Sequence, residues 1–313
     1  MTIAMLPDGT RLPVIDTTNA AFRVDDNPAA LANWRTQIAD APASRPRTAA
    51  TESLVPMPDL LRRMFATSSP FLDGLATYIL KLGPNALPGA FDTEIERRLM
   101  SSPNAFSLRV RLQQVANLMA SALSDVAGDH PIRLISIGGG TGIEAVNAII
   151  VHASASATMG CRFTIQVLDL EDDGVPFGRA AVAALIRPGG RLAGAVGDFG
   201  HARYTWEKPE HLASATGRVD GEFLLASSEG ALFEYASDDA ILGNLRALRA
   251  IGDIGVAGSV IRDDGAGQAM VAHSPFPLHA RGLRGLSRLA RRVGYRVAAA
   301  KEGVATDQFL LAF

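Results

Sequence analysis

The chain has little cysteine and few aromatic residues, and it has no excess of charge of either sign. Cys161 is the single cysteine among 313 residues, which excludes an internal disulfide, a thiolate-rich zinc site and a Cys-Xaa-Xaa-Cys redox pair and fits a reducing cytoplasm. Lys and Arg number 30 against 32 Asp and Glu, for a formal net charge of -2. This balance supplies no field that would draw the whole protein to nucleic acid or to an anionic membrane.

Long apolar runs are also missing. No segment reaches the ~20 uninterrupted apolar residues that a membrane helix needs, and Pro7 and Pro13 break the amino-terminal segment where a targeting signal would need an apolar stretch. The composition, 48% hydrophobic and 20% charged, is typical of a globular protein. We therefore expect a cytoplasmic protein that binds a small molecule, with no nucleic acid, membrane or metal partner. The sequence leaves a homodimer open.

A stripe of arginines is the one feature that points toward nucleic acid. Its members recur at three- and four-residue spacing and are Arg281, Arg284, Arg288, Arg291 and Arg292. Such a stripe is usually the solvated face of a helix. Aromatic residues, 6% of the chain, do not interleave with it to stack on bases. We expect a solvated face.

Residues 1–128 predict helices without a sheet core. Leu6–Thr10 contains a turn signal and predicts a short hairpin, and the stretch 39–57, rich in Pro, Ala, Ser and Thr, predicts a linker or mobile loop. Helices are predicted over 58–65, 69–82 and 104–126, and from Asp92 onward. We expect this extension to form a helical cover on a second domain, residues 129–313.

From Pro131 onward, short apolar strands alternate with helical segments. The predicted strands are Ile132–Ile137, Phe163–Leu168, Leu192–Val196, Phe223–Ala226, Gly255–Ile261, Tyr295–Ala300 and Gln308–Phe313. Repeated strand–helix–strand units imply a parallel sheet covered on both faces, and the last two strands, with no helix between them, require one reversed strand. The sequence predicts an α/β fold with a doubly wound, mostly parallel seven-stranded sheet and an antiparallel last strand.

A run of glycines stands between the first of these strands and the helix predicted over 141–152. The run is Gly138, Gly139, Gly140, Thr141 and Gly142. Glycine permits a tight turn and lets the backbone approach a ligand, and the helix start presents free N–H groups. The alternative is a loop with purely structural glycines. The flanking strand and helix favour a nucleotide site.

Acidic residues follow the next two predicted strands. Asp169 ends the second strand, where a carboxylate can accept hydrogen bonds from both ribose hydroxyls of a nucleoside. Asp198 follows the third, where it could accept from an adenine amino group with Phe199 beside the ring. The alternative for Asp198 is a helix cap or a turn. Ligands of open α/β sheets bind at the carboxyl ends of strands, so one molecule could contact all three features.

Over residues 105–313 the chain resembles the class I S-adenosylmethionine-dependent methyltransferases. The resemblance rests on Gly138, Gly140 and Gly142 after Ser136, on Asp169 and Asp198, and on the Gly-aromatic turn before a final strand pair. It implies a Rossmann-like fold in which Ser136 and the glycine turn lie against the methionine part of the cofactor, Asp169 holds the ribose and Asp198 with Phe199 holds the adenine. The implied S-adenosylmethionine contacts are Ser136, Gly138, Gly139, Gly140, Thr141, Gly142, Asp169, Leu170, Gly197, Asp198, Phe199, Ser227 and Ser228.

The chain departs from the family pattern in three respects. Gly140 and Asp169 are 29 residues apart, longer than the ~20 typical of the glycine turn and ribose acid, and Glu171 is an alternative ribose acid. No Asp-Pro-Pro-Tyr or Asn-Pro-Pro-Tyr motif follows the fourth strand, which argues against methylation of planar amide or base nitrogens. The position of Cys161 disfavours a cysteine nucleophile acting on RNA.

Acid–base chemistry has three candidates. Glu229 directly follows the fourth strand and would face the methyl group and its acceptor; the alternative is a carboxylate that caps the next helix or pairs with an arginine. His201 and His273 are the other candidates for a base. The side chains expected to wall the acceptor pocket are Tyr78, Arg109, Phe233 and Tyr235, with core packing the alternative for Phe233.

The leading hypothesis is a methyltransferase that transfers a methyl group in line from S-adenosylmethionine to an amine, hydroxyl or activated carbon of a small molecule. Three alternatives stay open: a nicotinamide-dependent enzyme, a non-catalytic cofactor-binding or assembly protein, and an aminopropyltransferase. The last shares the glycine turn but has an aspartate where this chain has Thr141.

Overall fold

The computed structural model describes residues 1–40, 60, 71–126, 130–155 and 162–313. The strands in these residues are β1 (Ile3–Met5), β2 (Arg11–Pro13), β3 (Ile132–Ile137), β4 (Phe163–Asp169), β5 (Val196–Arg203), β6 (Phe223–Ser228), β7 (Gly255–Ile261), β8 (Arg296–Lys301) and β9 (Thr306–Ala312). The α-helices are α1 (Pro28–Ala39), α2 (Gly74–Leu82), α3 (Glu94–Met100), α4 (Pro103–Ser124), α5 (Ile143–Ala155), α6 (Val175–Ile186), α7 (Leu212–Thr216), α8 (Leu232–Tyr235), α9 (Asp238–Ile251), α10 (Gly265–His273) and α11 (Gly282–Arg291). Most of the predicted linker, the predicted helix starts at Pro58 and Ser69, and Cys161 lie outside the described residues.

Seven strands form one sheet in the order β5-β4-β3-β6-β7-β9-β8. The pairs β5-β4, β4-β3, β3-β6 and β6-β7 are parallel, whereas β9 runs antiparallel to both β7 and β8. The predicted doubly wound sheet with an antiparallel last strand is therefore confirmed. Strand order reverses at β3, so the crevice where such sheets bind ligands opens at the carboxyl ends of β3 and its neighbours.

Local sequence accounts for the elements nearest this crevice. β3 is buried along its whole length, as expected for a central parallel strand covered on both faces. The predicted start of α3 is confirmed, because Thr93 and Glu96 form a reciprocal capping box. Ser102 caps α4 by accepting from the Ala105 amide, and Pro103 occupies the first turn. The predicted hairpin is the β1-β2 pair.

The amino-terminal elements share a hydrophobic core with the sheet. One cluster of buried side chains runs from Ala4 in β1 to Ala257 in β7. In it, the rings of Tyr78 on α2 and Phe177 on α6 lie 4.1 Å apart. The helices of the cover thus bury their apolar side chains against the sheet's own helices, which fixes α2 and α4 beside the carboxyl ends of the strands.

The third strand of the sheet lies later in the chain than predicted. The prediction was Leu192–Val196, whereas β5 is Val196–Arg203. The apolar residues before it belong to a turn after α6, in which the Leu192 amide donates to the Leu185 carbonyl at 2.9 Å. Asp198 pairs with Thr164 near the amino end of β4. The carboxyl end of β5 is therefore followed by Tyr204, not by Asp198.

Candidate functional site

A cavity of about 930 Å³ opens at the carboxyl ends of β3, β4, β5 and β6. This volume is within the range of small-molecule and cofactor sites. The glycine turn forms one side, α2 and α4 of the cover form another, and the loop after β6 and the segment after α10 close the rest. Residues lining it include Thr77, Lys81, Leu108, Arg111, Gly138, Gly139, Gly140, Thr141, Asp169, Leu170, Glu171, Thr205, Trp206, Glu229, Glu234, Tyr235, His273 and Phe276.

The glycine turn needs its glycines for close approach as well as for backbone conformation. Gly138 has φ +63°, and a Cβ on it would lie 2.4 Å from the Cβ of Ala231 in the loop after β6. A Cβ on Gly139 would lie 1.8 Å from Ser136 Oγ. Real side chains do not tolerate either contact, so the turn can exist in this form only with glycine, and its backbone stays open to the cavity.

Asp169 lies where the sequence predicted it, at the end of β4 and facing the turn. Its Oδ2 accepts from the Gly140 amide at 2.8 Å and its Oδ1 from the Glu171 amide at 3.2 Å. Burial raises the pKa of Asp169, and these two hydrogen bonds act in the opposite direction. A carboxylate has about four lone-pair positions, so Asp169 keeps accepting capacity toward the cavity.

Several predicted cofactor contacts support the turn from beneath instead of lining the cavity. Ser136 and Ser227 donate to the buried carboxyl of Glu144, and burial raises the pKa of that carboxyl. Ser228 donates to the Ile137 carbonyl and accepts from the Leu232 amide, each at 2.9 Å. Direct cofactor contacts by these serines are therefore not supported. Their hydroxyls hold β3, β6 and the turn in register.

Gly142, the last residue of the glycine turn, packs on Phe199 beneath it. A Cβ on Gly142 would lie 3.4 Å from the Phe199 ring, and Phe199 is buried in the core. Neither residue lines the cavity. Phe199 therefore packs under the glycine turn and does not lie beside a bound base as predicted.

The predicted cofactor contacts Gly197 and Asp198, of which Asp198 was assigned to the adenine, are wrong. Both are exposed at the amino end of β5, away from the glycine turn. The Asp198 carboxylate accepts from the Phe199 amide at 2.8 Å. A local hydrogen bond of this kind agrees with the alternative prediction, in which Asp198 is a turn residue. The cavity is lined at the carboxyl end of this strand by Tyr204, Thr205 and Trp206 instead.

A buried cluster of charges lies on the acceptor side of the cavity. Lys81 from α2 and Arg111 from α4 both bind Glu229, with side-chain exposures of 5% for each cation and 2% for the glutamate. Arg111 Nη1 also binds Glu234 at 3.1 Å. Ser259 on β7 donates to Glu234 at 2.5 Å. We call these side chains the charge cluster.

The charge cluster decides how Glu229 can act. Burial alone would raise the pKa of Glu229, but Lys81 and Arg111 outweigh it and hold that pKa below its usual range. Both carboxylate oxygens are engaged. Glu229 therefore lines the cavity as predicted, but a general-base role is not supported; the alternative of pairing with an arginine is confirmed. Burial raises the pKa of Glu234 despite Arg111 and Ser259.

Of the two histidines predicted as candidate bases, only one lies at the cavity. His273, at the end of α10, lines the cavity. His201 lies inside β5 opposite Val167, and its Nε2 has no hydrogen-bond partner among the described residues. His201 does not line the cavity. The structure thus brings His273 to the site and leaves His201 outside it.

Of the four side chains predicted to wall the acceptor pocket, Tyr235 alone lines the cavity. Tyr78 is buried in the core, donating to the Pro13 carbonyl and accepting from the Ile15 amide at 3.0 Å. Phe233 packs edge-on against Phe309 with ring centres 4.9 Å apart. Arg109 lies over the Phe106 ring at 5.3 Å. Tyr78, Arg109 and Phe233 are therefore corrected to core or supporting roles.

Four aromatic rings form one wall of the cavity, and the sequence predicted only Tyr235 among them. Phe71 meets Trp206 and Tyr235 edge-on, with ring centres 4.9 and 5.3 Å apart. Tyr235 in turn meets Phe276 at 6.4 Å. All four rings line the cavity. They come from four separated segments, and no sequence pattern singles out Phe71, Trp206 or Phe276.

A pair of carboxyl groups, those of Asp73 and Asp173, lies where the start of α2 meets the loop before α6. Asp173 Oδ2 accepts from the Gly74 amide at 2.8 Å and its Oδ1 from the Gly174 amide at 2.9 Å, while Asp73 caps α2 through the Ala76 amide at 2.6 Å. Burial and the neighbouring Asp73 carboxyl raise the pKa of Asp173 to about 7. Both carboxyl groups line the cavity.

This pair makes stability depend on pH in a defined direction. The pKa of Asp173 is higher in the folded chain than its usual 3.8, so between these two values the folded state binds more protons than the unfolded state. Stability therefore falls as pH rises from 3.8 to about 7 and then levels off. We expect the urea midpoint of the wild type to fall between about pH 4 and pH 8, and that of Asp173→Asn, which is always neutral, to fall less over the same range. The exposed neighbour provides the control Asp172→Asn, and identical pH profiles for wild type and Asp173→Asn would contradict the expectation.

Two further findings concern metal clusters and membrane-spanning helices in the described part of the chain. It contains no group of three or more His, Cys, Asp or Glu side chains arranged for a metal ion. None of its helices is long and apolar enough to cross a membrane.

Comparisons with known proteins find a likeness in structure alone. No protein-family model and no curated protein sequence matches the chain. A protein described as a possible exported protein from Bordetella parapertussis matches over 95% of this chain and 97% of its own, with 12% identity and a TM-score of 0.54. At that identity the likeness shows the fold, in agreement with the Rossmann-like sheet expected from the sequence.

Two methyltransferases match less closely. The mitomycin 7-O-methyltransferase matches over 70% of this chain at 14% identity, with a TM-score of 0.41. An O-methyltransferase from neocarzinostatin biosynthesis, solved with S-adenosylmethionine and 2-hydroxy-5-methyl naphthoic acid, matches over 68% at 18% identity, with a TM-score of 0.41. The match spans 58% of the first and 57% of the second, so this chain corresponds to a little over half of each.

Proposed function

We propose that this protein is an S-adenosylmethionine-dependent methyltransferase acting on a small molecule. The observation that carries the proposal is the meeting of the glycine turn and Asp169 at the strand-order reversal, on one side of a cavity of about 930 Å³. A nucleoside whose ribose hydroxyls bind Asp169 would have its remaining length over the open backbone of Gly138–Gly140.

The charges of the cavity favour a sulfonium cofactor over a dinucleotide. Its lining carries six carboxyl side chains, those of Asp73, Asp169, Glu171, Asp173, Glu229 and Glu234, against the two cations Lys81 and Arg111. Nicotinamide dinucleotides need a diphosphate beside the glycine turn, where Asp73 and Asp173 would repel it. S-Adenosylmethionine carries a positive sulfur and supplies an activated methyl group, so the protein has to orient an acceptor and exclude water.

The acceptor side of the same cavity supports a small-molecule substrate. It is closed by α2 and α4, walled by Tyr235 and Phe276, and floored by the charge cluster. Because two cations engage the carboxylate of Glu229, we infer that methyl transfer depends on how the protein positions the acceptor and the cofactor, and not on Glu229 as a base. Where the acceptor must lose a proton, His273 is the imidazole that lines this cavity.

The finer sequence predictions remain part of this proposal. They are the division into a cover (1–128) and a catalytic domain (129–313), a cytoplasmic location inferred from the single cysteine, a homodimer, and acceptor chemistry at an amine, a hydroxyl or an activated carbon.

Calorimetry with a matched pair of aspartate variants tests the cofactor. We expect S-adenosylhomocysteine to bind the wild type, NAD not to bind, and Asp169→Asn to weaken S-adenosylhomocysteine about 10- to 100-fold, because hydrogen bonds to an ionised carboxylate are each worth roughly 1.5–3 kcal/mol. Asp198→Asn, at the exposed end of β5, should bind as the wild type does.

Two outcomes would overturn the proposal. Absence of any S-adenosylhomocysteine binding removes the cofactor, and equal weakening by both aspartate substitutions removes the assigned site. Incubation with host extract and S-adenosylmethionine, followed by mass spectrometry for products heavier by one methylene, separates a methyltransferase from a protein that only binds the cofactor.

A further inference from the structure

The segment after β5 lies where a cofactor's base would be held. The Tyr204 amide donates to the Asp169 carbonyl at 2.9 Å, so this segment starts at the proposed ribose site. Two residues later, Trp206 lines the same cavity. Its ring also lies beside the glycine turn, 3.2 Å from the position that a Cβ on Gly138 would occupy.

Hydrogen bonds to α9 hold this segment in place. The Tyr204 hydroxyl donates to Asn244 Oδ1 at 2.6 Å, and Asn244 Nδ2 donates to the Trp206 carbonyl at 2.7 Å. Asn244 is fully buried. The indole also makes an edge-type contact with the Phe71 ring, with ring centres 4.9 Å apart. A flat side chain is thus held beside Gly138, two residues after the backbone bond to Asp169, before any ligand binds. This lowers the ordering cost of stacking.

We propose that Trp206 is the stacking surface for the purine base of the cofactor, in place of the predicted pair Asp198 and Phe199. The proposal rests on the proposed function. A planar indole stacks on any purine face, and the residues of this segment that line the cavity, Tyr204, Thr205 and Trp206, include no acid to read the amino group. Recognition of the base here depends on surface contact more than on a carboxylate hydrogen bond.

The chain contains a direct reporter for this contact. Of its two tryptophans, Trp34 stacks on Phe106 at 4.6 Å in a separate hydrophobic cluster. Trp34→Phe therefore leaves Trp206 as the only indole. We expect the emission of this variant to change on titration with S-adenosylhomocysteine, saturating at the Kd measured by calorimetry, and to change with adenosine but not with methionine.

Substitutions at Trp206 test the same contact by measuring the affinity for S-adenosylhomocysteine, not enzyme activity. Trp206→Ala should weaken S-adenosylhomocysteine at least about fivefold, whereas Trp206→Phe should stay close to the wild type because a flat ring remains. Circular dichroism and urea unfolding of both variants check that they fold. If Trp206→Ala does not fold, the emission titration of Trp34→Phe decides alone.

The outcomes separate this inference from the proposed function. If S-adenosylhomocysteine binds by calorimetry while the Trp206 emission stays constant and Trp206→Ala binds equally well, the stacking role is wrong and the cofactor assignment stands. An emission change with methionine and none with adenosine likewise overturns it, because Trp206 would then lie at the amino-acid end. No binding by any method would overturn both.

Discussion

Arg111→Met is expected to lower the free energy of unfolding by about 3–5 kcal/mol, the cost typical of removing one partner from a buried ion pair. Arg111 is the cation shared by Glu229 and Glu234, whose side chains are each 2% exposed. Its loss would leave Glu229 with Lys81 alone and Glu234 with Ser259 alone. A buried carboxylate with too few partners takes up a proton, so the loss should be smaller at pH 5 than at pH 8.

Urea unfolding of a small variant set tests this expectation. Arg109→Met is the matched control, since Arg109 lies over an aromatic ring and makes no ion pair within the described residues; its cost should be about 1 kcal/mol or less. Glu234→Gln in the Arg111→Met background should restore part of the loss, because it removes one unpaired charge. An Arg111→Met protein as stable as Arg109→Met would show that the charge cluster is not a stabilising unit.

The charge cluster also marks a limit of sequence-based prediction. Lys81 and Arg111 lie 148 and 118 residues before Glu229, and no local spacing links such distant positions. The sequence did indicate Glu229 itself, because it directly follows a predicted strand. What it could not give was the partners, which reverse the expected chemistry by turning a candidate base into an engaged anion.

The strands that the sequence predicted correctly are those marked by a local pattern of apolar and turn residues. The bounds of β3 and β7 match the predicted strands, since each is a short apolar run between turn residues, buried along most of its length. The glycine turn and Asp169 follow from the same local signals. For these features, side-chain pattern and backbone conformation agree.

The prediction of the third strand was wrong for a physical reason, and the same error misplaced the predicted adenine site. β5 is an edge strand that contains Gly197, Asp198 and Gly200 and leaves much of its length partly exposed, so it lacks the apolar pattern that identifies a strand. The apolar residues Leu192 and Ala195 before it belong to a turn. A shift of several residues moved Asp198 from the carboxyl end to the amino end of β5.

Gly174→Ala is the second substitution for which we expect a large effect, and the reason is a backbone contact. Gly174 precedes α6 with φ -84°, a conformation that alanine adopts freely, so its backbone gives no reason for glycine. However, a Cβ there would lie 2.6 Å from the Gly140 carbonyl carbon and 2.8 Å from the Thr141 amide nitrogen. No flexible side chain can move aside, so either α6 or the glycine turn must shift.

Overpacking of this kind costs about 1–3 kcal/mol of stability, and displacement of Gly140 also disturbs its 2.8 Å bond to Asp169. We therefore expect Gly174→Ala to lower the urea midpoint and to weaken S-adenosylhomocysteine at least about tenfold by calorimetry. Gly265→Ala is the matched control, because its Cβ would meet only the Ala39 Cβ at 3.8 Å and alanine has the higher helix propensity. Wild-type binding by Gly174→Ala would mean that the turn can move without loss of the ligand, and a cofactor site built on its present geometry would then be wrong.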